Sequence, residues 1–474
     1  MDDRFLLTVP ELASATGGEI VPTGDVGIAG FSSVSIDSRS VLSGGLFVAL
    51  AGLRSDGHEY LEQAFDSGAR VALVSATRMD ADGARLRGLA GKAGANLVVV
   101  RDTLRAMQDA AGRYLDRFPS LLRIGITGSS GKTTTKELAA AMISPERRVV
   151  MNVGNLNSET GLPLSAFQVR AEHEVGIFEM GMNRRAEMGE LARVLRPRIA
   201  LVTNVGTAHI GILGSVGAIA EEKKDIFSMF AGSETALIPE DDPSSDFLAA
   251  DVRGIVKRYG PRSLTAFGGA RSLDLDGTEI VWDGVAVTLA IPGAHNLMNA
   301  LAAAAIATEA GVSAAAIRTG LASARPLFGR AEILKGPVTV VRDCYNANPE
   351  ATEAAIAFCD SVEWKGRRIY VVGSMLELGE AAEREHERIG EALARCKADD
   401  VVLFGPETEA AARVLREGGT ATGAVLFRTD DIDDLSRIVS ARAREGDLVL
   451  LKGSRGMALE RLTEILIPGE KGGA

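Results

Sequence analysis

Cysteine is scarce in this chain: Cys344, Cys359 and Cys396 are the only three among 474 residues. The number is odd and the spacing fits no metal-binding pattern, so reduced thiols are expected rather than a disulfide framework or a zinc site. His386-Glu387 lacks the second histidine of a zinc helix, because Gly390 stands in its place. The opening Met1-Asp2-Asp3-Arg4 lacks the basic start of a secretory signal. No apolar run suits a bilayer. The longest, 297–317, carries Asn299, Thr308, Glu309 and Ser313 and reads as a buried Ala-rich helix pair. Basic residues are also short, 52 Lys+Arg against 63 Asp+Glu, for a net charge of −11. That balance argues against a broad nucleic-acid face and leaves room for a local basic pocket around an anionic substrate. There is no internal repeat, and the only low-complexity tract is 469–474, expected to fray.

Aromatic residues make up only 5% of the chain, while 53 glycines accompany abundant Ala, Val and Leu, a composition that suits α/β layers joined by tight turns. The length calls for more than one core. Residues 1–115 read as a small α/β domain, with alternating segments at 30–36 and 45–50, a helix at 60–67 and a strand at 71–74. The helical stretch 103–118, closed by Pro119, reads as a linker. Residues 116–325 hold apolar strands at 123–127, 149–152, 175–179, 199–203 and 235–238 separated by helices. That pattern predicts a doubly wound, mainly parallel sheet, with a small antiparallel insertion turning at Asp276-Gly277 and Asp283-Gly284. Residues 326–474 alternate strands and helices again and predict a Rossmann-like α/β domain. The fold class is therefore α/β with three domains.

The most informative stretch is Gly125-Ile-Thr-Gly128-Ser129-Ser130-Gly131-Lys132-Thr133-Thr134. It runs from an apolar strand through a glycine turn into a helix, which aims backbone N–H groups at phosphate oxygens. Lys132 adds a mobile positive charge, and the Thr133 hydroxyl can reach a magnesium ion. The usual P-loop places a glycine five positions before Gly131, but Ile126 occupies that position. Such a loop alone does not separate hydrolase, kinase and ligase. Glu179 closes the strand 175–179, where a carboxylate can hold magnesium beside the phosphates; its structural alternative is an exposed strand-end glutamate. His209 follows the next strand in Thr203-Asn204-Val-Gly-Thr207-Ala-His209 and is a candidate ligand of a second metal, although imidazole is an unusual magnesium ligand. Ligands of such sheets bind beyond the carboxyl ends of the strands, where the glycine turn, Glu179 and Asn204 all fall.

Further motifs cover almost the whole chain. The first domain has Ile36-Asp37-Ser38-Arg39, Gly44-Gly45-Leu-Phe-Val-Ala-Leu50 and Asp56-Gly57-His58. The central domain has Asn155-Leu-Asn157-Ser-Glu-Thr160-Gly-Leu-Pro163, Glu179-Met-Gly181 and Gly293-Ala-His295-Asn296-Leu-Met-Asn299. The last has Asp343-Cys344-Tyr345-Asn346-Ala347-Asn348-Pro349, Gly373-Ser374-Met-Leu-Glu377-Leu-Gly379 with His386, and Lys452-Gly-Ser-Arg455-Gly-Met457. Together they resemble the Mur ligase family, ATP-dependent amide-forming enzymes of peptidoglycan precursor synthesis. The Tyr-Asn-Ala-Asn-Pro segment fits the member that adds D-alanyl-D-alanine, and the Asp-Asn-Pro-Arg signature of the diamino-acid-adding member is missing. Ser374 and Cys344 stand where the family commonly has Asp and Ser, and Arg342 where a second Asp is frequent.

The resemblance implies a UDP-sugar-binding first domain, an ATP-binding central domain and a ligase last domain. It implies ATP contacts at Gly128, Ser129, Ser130, Gly131, Lys132, Thr133, Thr134, Asn296, Asn299, Arg330 and Asp343. For Asn296 and Asn299 the alternative is helix capping; for Arg330 and Asp343 it is a domain-interface ion pair. Contacts to a UDP-N-acetylmuramoyl-tripeptide are implied at Ser38, Arg39, Asn155, Asn157 and Thr160, and contacts near D-alanyl-D-alanine at Asn346, Asn348 and Arg455. The third residue of the tripeptide, diaminopimelate or lysine, stays open. Two Mg²⁺ ions are implied, on Thr133, Glu179, His209 and a carbamylated Lys223. Without the resemblance, Lys223 and Lys224 read as a solvated helix face. Lys132, Lys223, His209 and Arg330 are then the catalytic set. The implied reaction activates the tripeptide carboxylate as an acyl phosphate, with the last domain closing over the site. A cytoplasmic monomer follows, with no nucleic-acid partner and no stable membrane insertion. Two other readings remain: a folylpolyglutamate-type ligase with the same ATP site, and a P-loop switch that hydrolyses nucleotide only to change partners.

Overall fold

A computed structural model describes residues 4–23, 29–52 and 55–469. The acidic start at 1–3 and the glycine-rich end after Gly469 lie outside them. The alternation of apolar strands and helices produces a six-stranded sheet, every strand parallel. Its order is Ile255–Tyr259, Thr235–Pro239, Ile199–Val202, Leu122–Thr127, Val175–Glu179, Val149–Met151. Val175–Glu179 is buried at every position, as a strand covered on both faces must be. Strand order reverses around Leu122–Thr127, which opens a crevice at its carboxyl end. Register sets Glu179 opposite Ile126 and Val202 opposite Thr127, so the glycine turn, Glu179 and the segment from Thr203 share one edge. The outer strand Ile255–Tyr259 was not anticipated. It is exposed over Ile255, Val256 and Lys257, so no buried apolar run announces it.

The Ala-rich pair forms as expected: Ala294–Glu309 and Ala314–Ser323 pack against the helix Lys132–Ile143. Small residues let these helices approach closely. A Cβ on Gly320 would lie 2.4 Å from the Met142 Cα. The antiparallel insertion is also present as Phe267–Ser272, Thr278–Trp282 and Val285–Leu289, with left-handed Gly277 and Asp283-Gly284 in its turns.

The N-terminal part carries a five-stranded sheet in the order Glu19–Val21, Asn96–Val100, Val71–Ser75, Leu46–Val48, Val34–Ser35. The alternating stretch expected at 30–36 splits in two. Gly30–Phe31 pairs with Leu7–Thr8 instead, and only Val34–Ser35 joins the larger sheet. The helix expected to lead into the next domain forms, and it is tightly packed. Thr103–Leu115 is an amphipathic helix that buries Ala106, Met107, Ala110, Ala111 and Leu115. It packs against Val9–Thr16, Gly161–Ala166 and Glu187–Leu195, and the Tyr114 hydroxyl donates to the Val169 carbonyl at 2.6 Å.

The C-terminal sheet runs Glu332–Lys335, Thr339–Asp343, Leu448–Lys452, Arg368–Gly373, Asp400–Phe404, Val425–Thr429. Only Glu332–Lys335 is antiparallel. It was missed because it is short and at best half-buried. All three cysteines are free and buried, and burial pushes the Cys344 thiol up to about 12 and that of Cys396 up to about 11.

Gly320→Ala is expected to force the Ala314–Ser323 helix off Lys132–Ile143 and cost about 1–3 kcal/mol, measured as a drop in the urea midpoint.

Candidate active site

The glycine turn is shaped by close approach. Gly128 has φ +150° and a Cβ there would sit 1.8 Å from Thr203 Oγ1; Gly131 has φ +78° and a Cβ would sit 2.1 Å from Asn299 Oδ1. No side chain caps the helix that starts at Lys132, so its first N–H groups face the turn. The turn is bolted to the neighbouring strand end. Ser129 N–H donates to the Asn204 carbonyl at 3.1 Å, Ser130 N–H to Asn204 Oδ1 at 3.0 Å, and Thr203 Oγ1 to the Ser130 carbonyl at 2.6 Å.

Glu179 is held from three directions. Thr133 Oγ1 donates to its Oε2 at 2.8 Å and Asn157 Nδ2 to its Oε1 at 2.7 Å. Asn152 grips its backbone: Oδ1 accepts from Glu179 N–H at 2.9 Å, and Nδ2 donates to the Glu179 carbonyl at 3.0 Å. The fully buried Lys136 donates in turn to the Asn152 carbonyl at 2.6 Å. Asn152 and Lys136 were not expected site residues. A polar residue directly after the strand Val149–Met151 was the available signal. Asn157, expected at the tripeptide, meets Glu179 in this cluster, while Asn155 stands exposed.

The last domain reaches into the same cluster. Arg330 Nη2 donates to Thr133 Oγ1 at 3.0 Å, and its guanidinium lies 4.1 Å from the ring centroid of Tyr345. Lys132 curls back so that Nζ donates to the Gly128 carbonyl at 2.6 Å. Burial holds the Lys132 ammonium below its ordinary range; Glu179 opposes that and Arg330 adds to it. Lys223 is 1% exposed, which rules out the solvated-face reading. Burial pushes its amine well below the ordinary lysine range, the nearby Lys132 adds to the shift, and Glu222 opposes it. Glu222 also caps the helix Glu187–Leu195 by accepting from Ala186 N–H and Met188 N–H.

The other expected residues are placed as follows. His209 Nδ1 lies 3.3 Å from Glu377 Oε2 of the last domain. Asn296 and Asn299 are buried, with Asn296 Nδ2 donating to the Pro292 carbonyl and Asn299 Nδ2 to Asn296 Oδ1. The first of these is a helix-end contact, whereas Asn299 faces Gly131. Asp343 accepts from Ala331 N–H and pairs with Lys452 at 2.7 Å. Asn348 caps the helix Pro349–Ser361 and also donates to the Ser129 carbonyl at 3.4 Å, so it meets the glycine turn. Asn346 is exposed, and Arg455 pairs with Glu460. Ser38 donates to Gln63 Oε1, Arg39 pairs with Asp37 at the surface, and Thr160 meets Ser158. A cavity of about 190 Å³ opens beside Arg330, lined by Thr134, Leu138, Ile291, Pro326 and Leu327. Among the described residues no three or more His, Cys, Asp or Glu side chains converge as a metal cage. The oxygens of Thr133 and Glu179, 2.8 Å apart, do form a pair of hard donors beside the turn.

Three family models match the chain. They are the Mur ligase family catalytic domain over 30–114, the Mur ligase middle domain over 126–307 and the Mur ligase glutamate ligase domain over 329–455. The UDP-N-acetylmuramoyl-tripeptide–D-alanyl-D-alanine ligase of Treponema pallidum is 43% identical over 98% of this chain and 99% of its own. The crystal structure of MurF from Acinetobacter baumannii superposes with a TM-score of 0.84 at 27% identity, covering 97% of this chain and 98% of that one. MurF ligase from Thermotoga maritima in complex with ADP gives a TM-score of 0.77 at 28% identity, covering 92% and 96%.

Asn152→Ala leaves the Glu179 backbone groups buried without partners and is expected to cost about 1–3 kcal/mol in urea denaturation.

Proposed function

Because the chain belongs to the Mur ligase family, we propose that it joins D-alanyl-D-alanine to UDP-N-acetylmuramoyl-tripeptide at the expense of ATP. The carboxylate of the tripeptide attacks the γ-phosphorus, ADP leaves, and an acyl phosphate forms. The dipeptide amine then adds to the acyl carbon; the tetrahedral intermediate expels phosphate, and the nitrogen gives up its proton. One observation carries this reading: Thr133 meets Glu179 and Arg330 at once, so residues from two sheets wall a single phosphate site at a helix N-terminus. Lys132 and Arg330 neutralise charge that develops on the transferred phosphoryl group. The cavity next to Thr134 takes the nucleoside, with Asn299 against the turn. Contacts of Arg330 and Asn348 with the loop shield the water-labile acyl phosphate.

Thr133 and Glu179 are the residues that would hold a magnesium ion, which supplies positive charge to the outer phosphates when bound. His209 and a carbamylated Lys223 are the proposed holders of a second. Buried Lys223 lies close enough to half-buried Lys132 for one to shift the other. An uncharged Lys223 amine reacts with carbon dioxide, releasing one proton and leaving a carbamate anion, which turns the repulsion from Lys132 into attraction. Ser38 and Arg39, with Asn155, Asn157 and Thr160, are proposed for the UDP-linked substrate, and Asn346, Asn348 and Arg455 for the dipeptide.

We further propose domains at 1–115, 116–325 and 326–474, each with its own main sheet. No described helix is long and apolar enough to cross a membrane. The proposed setting is a cytoplasmic monomer without nucleic-acid partners.

Phosphate release should require ATP, the UDP-tripeptide and D-alanyl-D-alanine together; release without the dipeptide would favour a nucleotide switch, and release with glutamyl acceptors a folylpolyglutamate-type ligase. Enzyme equilibrated with ¹³C-bicarbonate should show a carbamate carbon resonance that Lys223→Ala lacks, with activity at least about a hundredfold lower in the variant. An active Lys223→Ala enzyme would refute the carbamate.

A further inference from the structure

The segment 374–379 takes no part in the chemistry assigned so far, yet it touches the central sheet at its reactive edge. It is firmly held. Met375 N–H donates to His386 Nε2 at 3.0 Å, Leu376 N–H to Ser454 Oγ at 2.9 Å, and Ser454 N–H to the Ser374 carbonyl at 3.2 Å. His386 Nδ1 lies 2.7 Å from the Ala382 carbonyl, so that nitrogen carries the proton and Nε2 is left as the acceptor. His386 thus supports a loop, while Glu387 pairs with Arg413.

The loop brings Glu377 Oε2 to 3.3 Å from His209 Nδ1. The approach is tight, since a Cβ on Gly211 would lie 2.5 Å from the Gly379 nitrogen. Both Glu377 (φ 69°) and His209 (φ 66°) adopt the left-handed backbone that side chains rarely take. The His209 side chain is 18% exposed, but that of Glu377 is 60% exposed, so most of this carboxylate is open.

Glu377 and Arg455 follow the carboxyl ends of adjacent parallel strands, Arg368–Gly373 and Leu448–Lys452. Between them lies Leu376, 37% exposed, whose Cδ1 would meet a Cβ on Gly456 at 3.0 Å. A carboxylate, an apolar side chain and a guanidinium that pairs with Glu460 through Nη1 but is still half-exposed supply the groups a short zwitterion with methyl side chains needs: ammonium to Glu377, carboxylate to Arg455, methyl groups over Leu376. The nitrogen at this end becomes the nucleophile once its ammonium has given one proton to solvent, and Glu377 is the end of this row that lies next to His209 at the central edge.

We propose that Glu377 receives the ammonium of the incoming D-alanyl-D-alanine and holds its nitrogen against the activated acyl group. The proposal rests on the ligase reading and adds the residue that recognises the nucleophile.

Glu377→Gln keeps the shape of the side chain and removes its charge. The KM for D-alanyl-D-alanine should rise at least about tenfold, while the KM values for ATP and UDP-tripeptide stay within about twofold. Glu377→Asp should recover part of the loss. N-acetyl-D-alanyl-D-alanine has no ammonium, so it should inhibit the natural enzyme and Glu377→Gln equally. An unchanged dipeptide KM overturns the proposal. So does an equal rise in all three KM values, which would make Glu377 a docking contact only. If Glu377→Gln turns over too slowly for kinetics, calorimetric titration of the dipeptide into enzyme holding ADP and UDP-tripeptide decides by the same criterion. A natural enzyme with no dipeptide-dependent turnover would fail the ligase reading itself, a result seen before any variant is made.

Discussion

The hydrogen bond from Thr133 to Glu179 ties the first turn of the phosphate-facing helix to the end of the next strand. Around it everything else is arranged. The helix can start where it does because Gly128 and Gly131 let the chain pass Thr203 and Asn299 without a clash. Glu179 can hold its direction because Asn152 fixes its backbone and Asn157 its other oxygen. Arg330 can point at the same hydroxyl because Tyr345 lies under its guanidinium. Removing the central bond would leave a buried carboxylate and a helix end to find new partners in a site with little slack.

Charge is concentrated in this small volume in an unusual way. Half-buried Lys132 lies near buried Lys223, whose amine is pushed far below the ordinary lysine range, and Arg330 adds to the positive charge around Lys132. Such a cluster is costly without anions. A triphosphate supplies them at the glycine turn, and the proposed carbamate supplies another at Lys223.

Several side chains were legible as important while their partners were not. Lys132, Thr133 and Glu179 could be singled out because each lies within a few residues of a strand end, and the strand–turn–helix order is local. The sequence does not show that Asn157 reaches Glu179, or that Asn348 caps a helix while touching Ser129. The helix Thr103–Leu115 can be read from the sequence, but the packing of its buried face has meaning only once other helices lie against it. The strands Ile255–Tyr259 and Glu332–Lys335 escaped notice because edge strands need no continuous apolar run.

By itself the sequence determined the alternation of helix and strand, the α/β class, the glycine turn and the family motifs. All of these depend on neighbours within about ten residues, where hydrophobic period and allowed backbone angles decide. The tertiary structure alone decided which side chains meet. Arg330 and Thr133 are 197 residues apart in the chain, and His209 faces Glu377 from a different sheet. Such pairings follow from strand order and from how one layer docks on another, and no local pattern encodes either.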